Sequence, residues 1–134
     1  KRAAEAYERE LAKIETFGDK RVNYKIKNKL LLNAKKNEKK IIKIILNTDK
    51  SKNIKEKNIK NEVTKYEVNI LIKVKFREID VNIFEEFVVK SVTEYSVSNQ
   101  HSQTLTNERK ATELLIEDLS DKIISEIILK INDL

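Results

Sequence analysis

Three cations recur at alternate positions near the middle of the chain: Lys73, Lys75 and Arg77. Spaced by two, they share one side of an extended strand, where they can meet phosphates or carboxylates by charge alone. Glu67 falls on the same side, and no aromatic interleaves, so the stacking platform for single-stranded nucleic acid is missing. Residues 50–60 add lysines that could touch phosphates without reading bases. The only histidine, His101, lies beside Ser102 and a few residues after Glu94. On paper these make a triad, but working triads draw on distant elements, so His101 reads as an exposed loop residue. A single glycine leaves no room for a Gly-rich phosphate loop. Glu85–Glu86 and Glu117–Asp118 are sequence neighbours that point different ways, so neither pair makes a metal site. No catalytic residue, metal or cofactor is assigned, and the chain is read as non-enzymatic.

The balance of charge is modest. Lys+Arg 28 against Asp+Glu 22 gives +6, mostly lysine, a compact charge without the arginine fork. It suits phosphate-bearing partners, and equally suits plain solubility in a Lys/Asn/Ile-rich sequence. At 134 residues, 40% hydrophobic and 37% charged, the sequence reads as one domain, 1–134, with a core of Ile, Leu and Val under a very polar surface. With no cysteine there is no disulfide and no thiol nucleophile, and the compartment stays open. No apolar run approaches the about 18 residues of a membrane-spanning helix. The sequence opens at Lys1 with no signal peptide in view, as it would if a targeting segment had been removed.

The element that must position the cations is the stretch 66–76. Tyr66, Val68, Ile70, Ile72, Val74 and Phe76 alternate with a mostly charged set, the signature of a long strand with one covered face. Residues 83–97 read as a second long strand. It carries Phe87, Val89 and Tyr95 on one parity and Phe84, Val88 and Val92 on the other, and a turn near 80–82 makes the two a hairpin. Before them, 1–13 reads as an Ala- and Arg-rich helix, atypical of the rest and plausibly appended. A short strand follows at 14–18, closed by Gly18. Asp19 then caps a helix over 20–34, with Val22, Ile26, Leu30 and Ala34 as its core stripe and Tyr24 and Leu31 suggesting a second contact. Residues 35–40 read as a basic connection, 41–47 as an apolar strand, and 47–53 as turn-forming. Residues 50–61 read as an exposed loop or an extended edge segment. Thr106 is taken as the cap of a last helix striped by Thr112, Ile116, Leu119, Ile123, Ile127 and Leu134. From Ile124 that helix is apolar all round, which calls for a second helix or a partner protein on its far side.

The expected architecture is α+β: a two-layer roll of about four mostly antiparallel strands, two helices packed on one face, and an extra N-terminal helix. Within it, four groups of residues stand in a telling order. Residues 18–30, Gly-Asp-Lys-Arg-Val-Asn-Tyr-Lys-Ile-Lys-Asn-Lys-Leu, follow the short strand Ile14-Glu15-Thr16. Thr64-Lys65-Tyr66-Glu67-Val68 opens the long strand, and Tyr95-Ser96-Val97-Ser98-Asn99-Gln100 closes its partner. Asp118-Leu119-Ser120-Asp121-Lys122-Ile123 lies in the last helix. Together, over about residues 14–134, they resemble the LPS-assembly lipoprotein LptE family in its divergent, Lys/Asn-rich alphaproteobacterial form.

The resemblance implies a non-enzymatic lipoprotein on the periplasmic side of the cell outer membrane, held there by a lipid anchor that this chain does not carry. It implies a protein that plugs and helps assemble the β-barrel translocon LptD and binds lipopolysaccharide in transit. It does not carry the family's lipopolysaccharide-contacting residues onto this sequence. Charge and placement near the hairpin connection nominate Lys73, Lys75, Arg77 and Lys90 instead. The alternatives are a generic module for an anionic polymer such as nucleic acid, though no nucleic-acid partner is expected, and a structural interaction domain whose last helix pairs with another protein.

Overall fold

The computed structural model describes residues 14–36, 42–78 and 82–132. The elements run β1 (Ile14–Gly18), α1 (Lys20–Lys36), β2 (Ile42–Lys57), β3 (Val63–Glu78), β4 (Glu85–Ser96) and α2 (His101–Asn132). The expected N-terminal helix over 1–13, residues 37–40 of the basic connection, most of the turn near 80–82 and Leu134 lie outside the described residues. The strands form one open sheet in the order β1-β2-β3-β4. β1 joins β2 parallel, with α1 as the crossover, and the other two pairings are antiparallel. The expected α+β architecture of four strands and two helices is the one observed.

Period-two alternation in β3 sets the layers. Val68, Ile70, Ile72, Val74 and Phe76 are all buried, while Lys73 and Lys75 between them are exposed. Cross-strand neighbours share a face, so Leu46 and Ile44 on β2, and Val89 and Tyr95 on β4, join the same apolar surface. Val22, Ile26 and Leu30 of α1, and Leu115, Ile116, Leu119, Ile123 and Ile127 of α2, cover it as one core. Each large aliphatic side chain buried there contributes about 1.5–3 kcal/mol.

Asp19 caps α1 as expected, its Oδ1 accepting the Val22 N–H at 3.0 Å. Gly18 precedes it at φ 94°, and a Cβ there would collide with the Thr48 carbonyl oxygen, so only glycine fits. Of the two residues on the far side of α1, Tyr24 is largely in solvent. It is 68% exposed, whereas Leu31 packs on the core.

Residues 47–53 are not a turn. β2 continues through them, with Asp49 to Asn53 opposite Leu71 to Glu67 of β3. The ladder supplied by β3 outweighs the local turn preference of Asn, Asp and Ser. β1 pairs only as far as Thr48, so the rest of β2 is the extended edge segment foreseen as one of two options. The hairpin closes at 58–62, where Asn58 Oδ1 accepts the N–H groups of Lys60 and Glu62.

α2 begins at His101, five residues before its expected cap. The hydroxyl of Thr104 accepts the Ser98 N–H at 2.8 Å, and Gln100 O accepts the Gln103 and Thr104 N–H groups. Thr106 instead donates back to the Ser102 carbonyl within the helix. His101 is exposed in the first turn rather than on a loop. No second helix among the described residues covers the far side of the end of α2. Ile124 packs on the core, but Ile128 and Leu129 face outward, 43% and 57% exposed. α1 shields only one flank.

Candidate ligand-binding face

Both helices lie on one side of the sheet, and among the described residues the other side is bare. The parity of β3 places Lys73, Lys75 and Arg77 there, and the register of β4 places Lys90 beside them, opposite Leu71. All four nominated residues therefore share one face. Lys73 sits between Asn47 and Val88, and Lys75 between Ile45 and Glu86. Lys73 and Lys90 are diagonal neighbours across the β3–β4 ladder, a spacing that long side chains span.

Their charges are spent unequally. Lys75 reaches Glu86 at 3.3 Å, and Arg77 lies over the Phe84 ring at 5.6 Å. Lys73 and Lys90 are exposed, and neither ammonium has an ion-pair partner among the described residues. Their ammoniums are the ones most open to an incoming anion. Exposed ion pairs such as Lys75–Glu86 are worth at most about 1 kcal/mol and exchange readily for a stronger anion.

The face is not purely ionic. Leu71 is half-buried between strands, and Val88 and Val92 stand 57% and 45% exposed on β4. Phe17 extends this apolar content onto β1. Lys43 on β2, opposite Arg77 and 3.3 Å from Glu15, widens the basic margin. Neither the apolar stripe nor Lys43 was singled out from the sequence as part of a site. The signal was present in the even parity of β4, where Phe84, Val88 and Val92 fall together. What was missing was the register showing that this parity shares a face with the odd residues of β3.

A second polar cluster sits under the first turns of α2, on the covered side. Tyr95 donates to Glu108 Oε2 at 2.8 Å, and Lys52 stands 3.4 Å from the same oxygen and 4.7 Å from the Tyr66 ring centroid. Burial works to raise the Glu108 pKa, yet the Tyr95 hydrogen bond and the Lys52 charge together hold it below the usual carboxylate range. Burial pushes the Tyr95 phenol up, and its hydrogen bond to Glu108 adds to that. Burial opposes the Lys52 charge, but hydrogen bonding to Tyr95 and the Glu108 carboxylate win, and its pKa is raised. Each group is matched by another, so the cluster clasps α2 to the sheet. Farther along, Asp118 accepts from Lys122 at 2.8 Å and from Ser91 at 2.7 Å, and those two bonds lower its pKa. Among the described residues, no three His, Cys, Asp or Glu side chains converge as metal ligands would. No described helix is long and apolar enough to cross a membrane.

An open four-stranded sheet bearing two helices on one face defines the class: an α+β protein of two layers. Solved structures share the fold. One is assigned as a lipoprotein from Caulobacter crescentus CB15, with TM-score 0.61, 12% identity and 96% of each chain covered. Another is the rare lipoprotein B of Shewanella oneidensis, with TM-score 0.61, 11% identity, and 90% of this chain and 96% of that one covered. At such identities the likeness is one of fold. No family model matches the chain, and no curated protein does.

Proposed function

We propose that this chain is a non-enzymatic LPS-assembly lipoprotein of the LptE type, which plugs and supports the LptD barrel and binds lipopolysaccharide on its way to the cell surface. The observation that carries the reading is the bare face of the sheet. Lys73 and Lys90, without ion-pair partners among the described residues, lie among Leu71, Val88 and Val92 on adjacent strands. Cations beside apolar side chains suit a ligand that joins phosphates to acyl chains. A nucleic acid would call for aromatic platforms along the basic row, and β3 presents none there: Phe76, between Lys75 and Arg77, is buried on the other face. The fold is shared with two chains described as lipoproteins, which agrees with a lipoprotein family reached separately from the residues. The outward Ile128 and Leu129 suit burial against a larger enclosing protein. The location proposed is the periplasmic side of the outer membrane, through a lipid anchor.

The test has two arms. The full chain is titrated with lipopolysaccharide, and Lys73, Lys75, Arg77 and Lys90 are then all reversed to Glu. Binding should fall by at least about tenfold, since each lost charge-assisted contact is worth about 1 kcal/mol or more. Unchanged binding rejects the face. Separately, the chain is expressed in its own envelope and purified, and LptD should accompany it. Recovery with nucleic acid and no barrel would favour the anionic-polymer module instead.

A further inference from the structure

β4 is the outer strand of the sheet, and its free edge is only partly blunted. Val97 N–H bonds inward to Thr64 O, so odd-numbered residues of β4 turn their backbone groups toward β3. Even-numbered residues turn theirs outward. Two of those outward carbonyls are met by α2: Lys90 O accepts from Lys122 at 3.0 Å, and Ser96 O accepts from Asn107 at 3.0 Å. The Glu86 and Val88 backbone groups have no such partner among the described residues. Beside them opens a groove of about 550 Å³ between β4 and α2, lined by Phe87 to Lys90 and by Asp121, Lys122, Ser125 and Glu126.

We propose that this edge pairs antiparallel with the same edge of a second copy of the chain, about a twofold axis through Val88. The register argues for it. Centred on Val88, the bare face reads Val88 against Val88, Glu86 against Lys90 twice, and Phe84 against Val92 twice. Each exposed apolar side chain of this edge meets another. Lys90, without an ion-pair partner among the described residues, meets the partner's Glu86, whose carboxylate then lies between Lys75 of its own chain and Lys90 of the other. Because the outward backbone groups of β4 belong to even residues, the Val88 and Glu86–Lys90 pairs are hydrogen-bonded pairs, with Phe84 just beyond the strand. Neighbouring registers fail. Centring on Lys90 stacks Lys90 on Lys90 and Glu86 on Glu94. Centring on Val92 sets exposed Val88 against Ser96, whose carbonyl Asn107 already holds. The Lys90 carbonyl keeps a second lone pair, so Lys122 need not leave. The interface is isologous and closes on itself, joining two four-stranded sheets into one.

Sedimentation equilibrium of the full chain, from about 1 μM to 1 mM, reads the dimer directly. Glu86→Lys alone and Lys90→Glu alone each create two like-charge pairs about the axis, and each should weaken the dimer about tenfold. The double swap E86K/K90E restores both pairs and should return the dimer to within about threefold of the original. Val88→Pro removes an outward N–H that the monomer does not use, and should leave a folded monomer by circular dichroism. If the Val88→Pro chain does not fold, the charge swap decides alone. A chain that stays monomeric to the top of the range overturns the proposal and leaves the edge to some other strand. A dimer indifferent to both single reversals, or not rescued by the double swap, overturns it as well.

Discussion

Thr48 donates its hydroxyl to the Asn23 carboxamide oxygen at 2.6 Å, joining β2 to α1 across residues far apart in sequence, with both side chains only 3% exposed. Asn23 in turn donates to the Phe17 carbonyl at 2.9 Å, so one buried network ties β1, α1 and β2 together. Thr48→Val keeps the shape and strands the Asn23 oxygen. It should cost about 1–3 kcal/mol, read as a lower urea midpoint at unchanged slope.

Gly18→Ala places a methyl against the Thr48 carbonyl at a positive φ. The combined strain and displacement of β1 should cost about 2–4 kcal/mol, and the melting temperature checks it. Asn61, the other residue at positive φ, sits at an exposed hairpin end. Asn61→Gly there should be neutral or slightly stabilising by thermal melt.

Glu108 predicts an acid limb of stability. Its folded pKa lies below the ordinary value, so the folded state holds it as a carboxylate more firmly than the unfolded chain does. Its contribution is complete above the ordinary carboxylate pKa and fades as pH falls through the lower folded one. Glu108→Gln should flatten that part of the pH–stability curve, measured by urea unfolding from neutral to acid, and Tyr95→Phe should do so in part.

Adjacent residues of β3 should respond in opposite ways. Ile72→Ala opens a cavity in the core and should cost about 2–5 kcal/mol. Lys73→Ala, one residue on, should change stability by less than about 0.5 kcal/mol, because the side chain is exposed and has no ion pair among the described residues. Parallel denaturation curves of the two variants check this.

Salt separates the two parts of the bare face. Reversing Lys73 and Lys90 should flatten the salt dependence of lipopolysaccharide binding, since exposed charges are screened within about 8–10 Å. Leu71→Asn with Val92→Asn should weaken binding severalfold while leaving that dependence in place. Titrations at two ionic strengths distinguish the outcomes.

Periodicity alone determined which faces of β3 and α1 are apolar, and why. Alternation in 68–76 and the four-residue spacing of Val22, Ile26 and Leu30 gather the apolar side chains on one side of each element, and that side must be buried. The Asp19 cap was equally legible, because its bond is local. Pairing partners were not. Residues 47–53 carry turn formers and yet run as strand, because β3 offers them a ladder that no local preference reveals. The start of α2 was misplaced for a similar reason: Ser98 and Thr104 exchange hydrogen bonds that only the folded approach to the helix creates. Register decided the rest. It set the even residues of β4 beside the lysines of β3 and made one amphiphilic surface from two unremarkable strand faces. Which side chains become neighbours across a sheet depends on how strands align, and that alignment is fixed by burying the whole core at once.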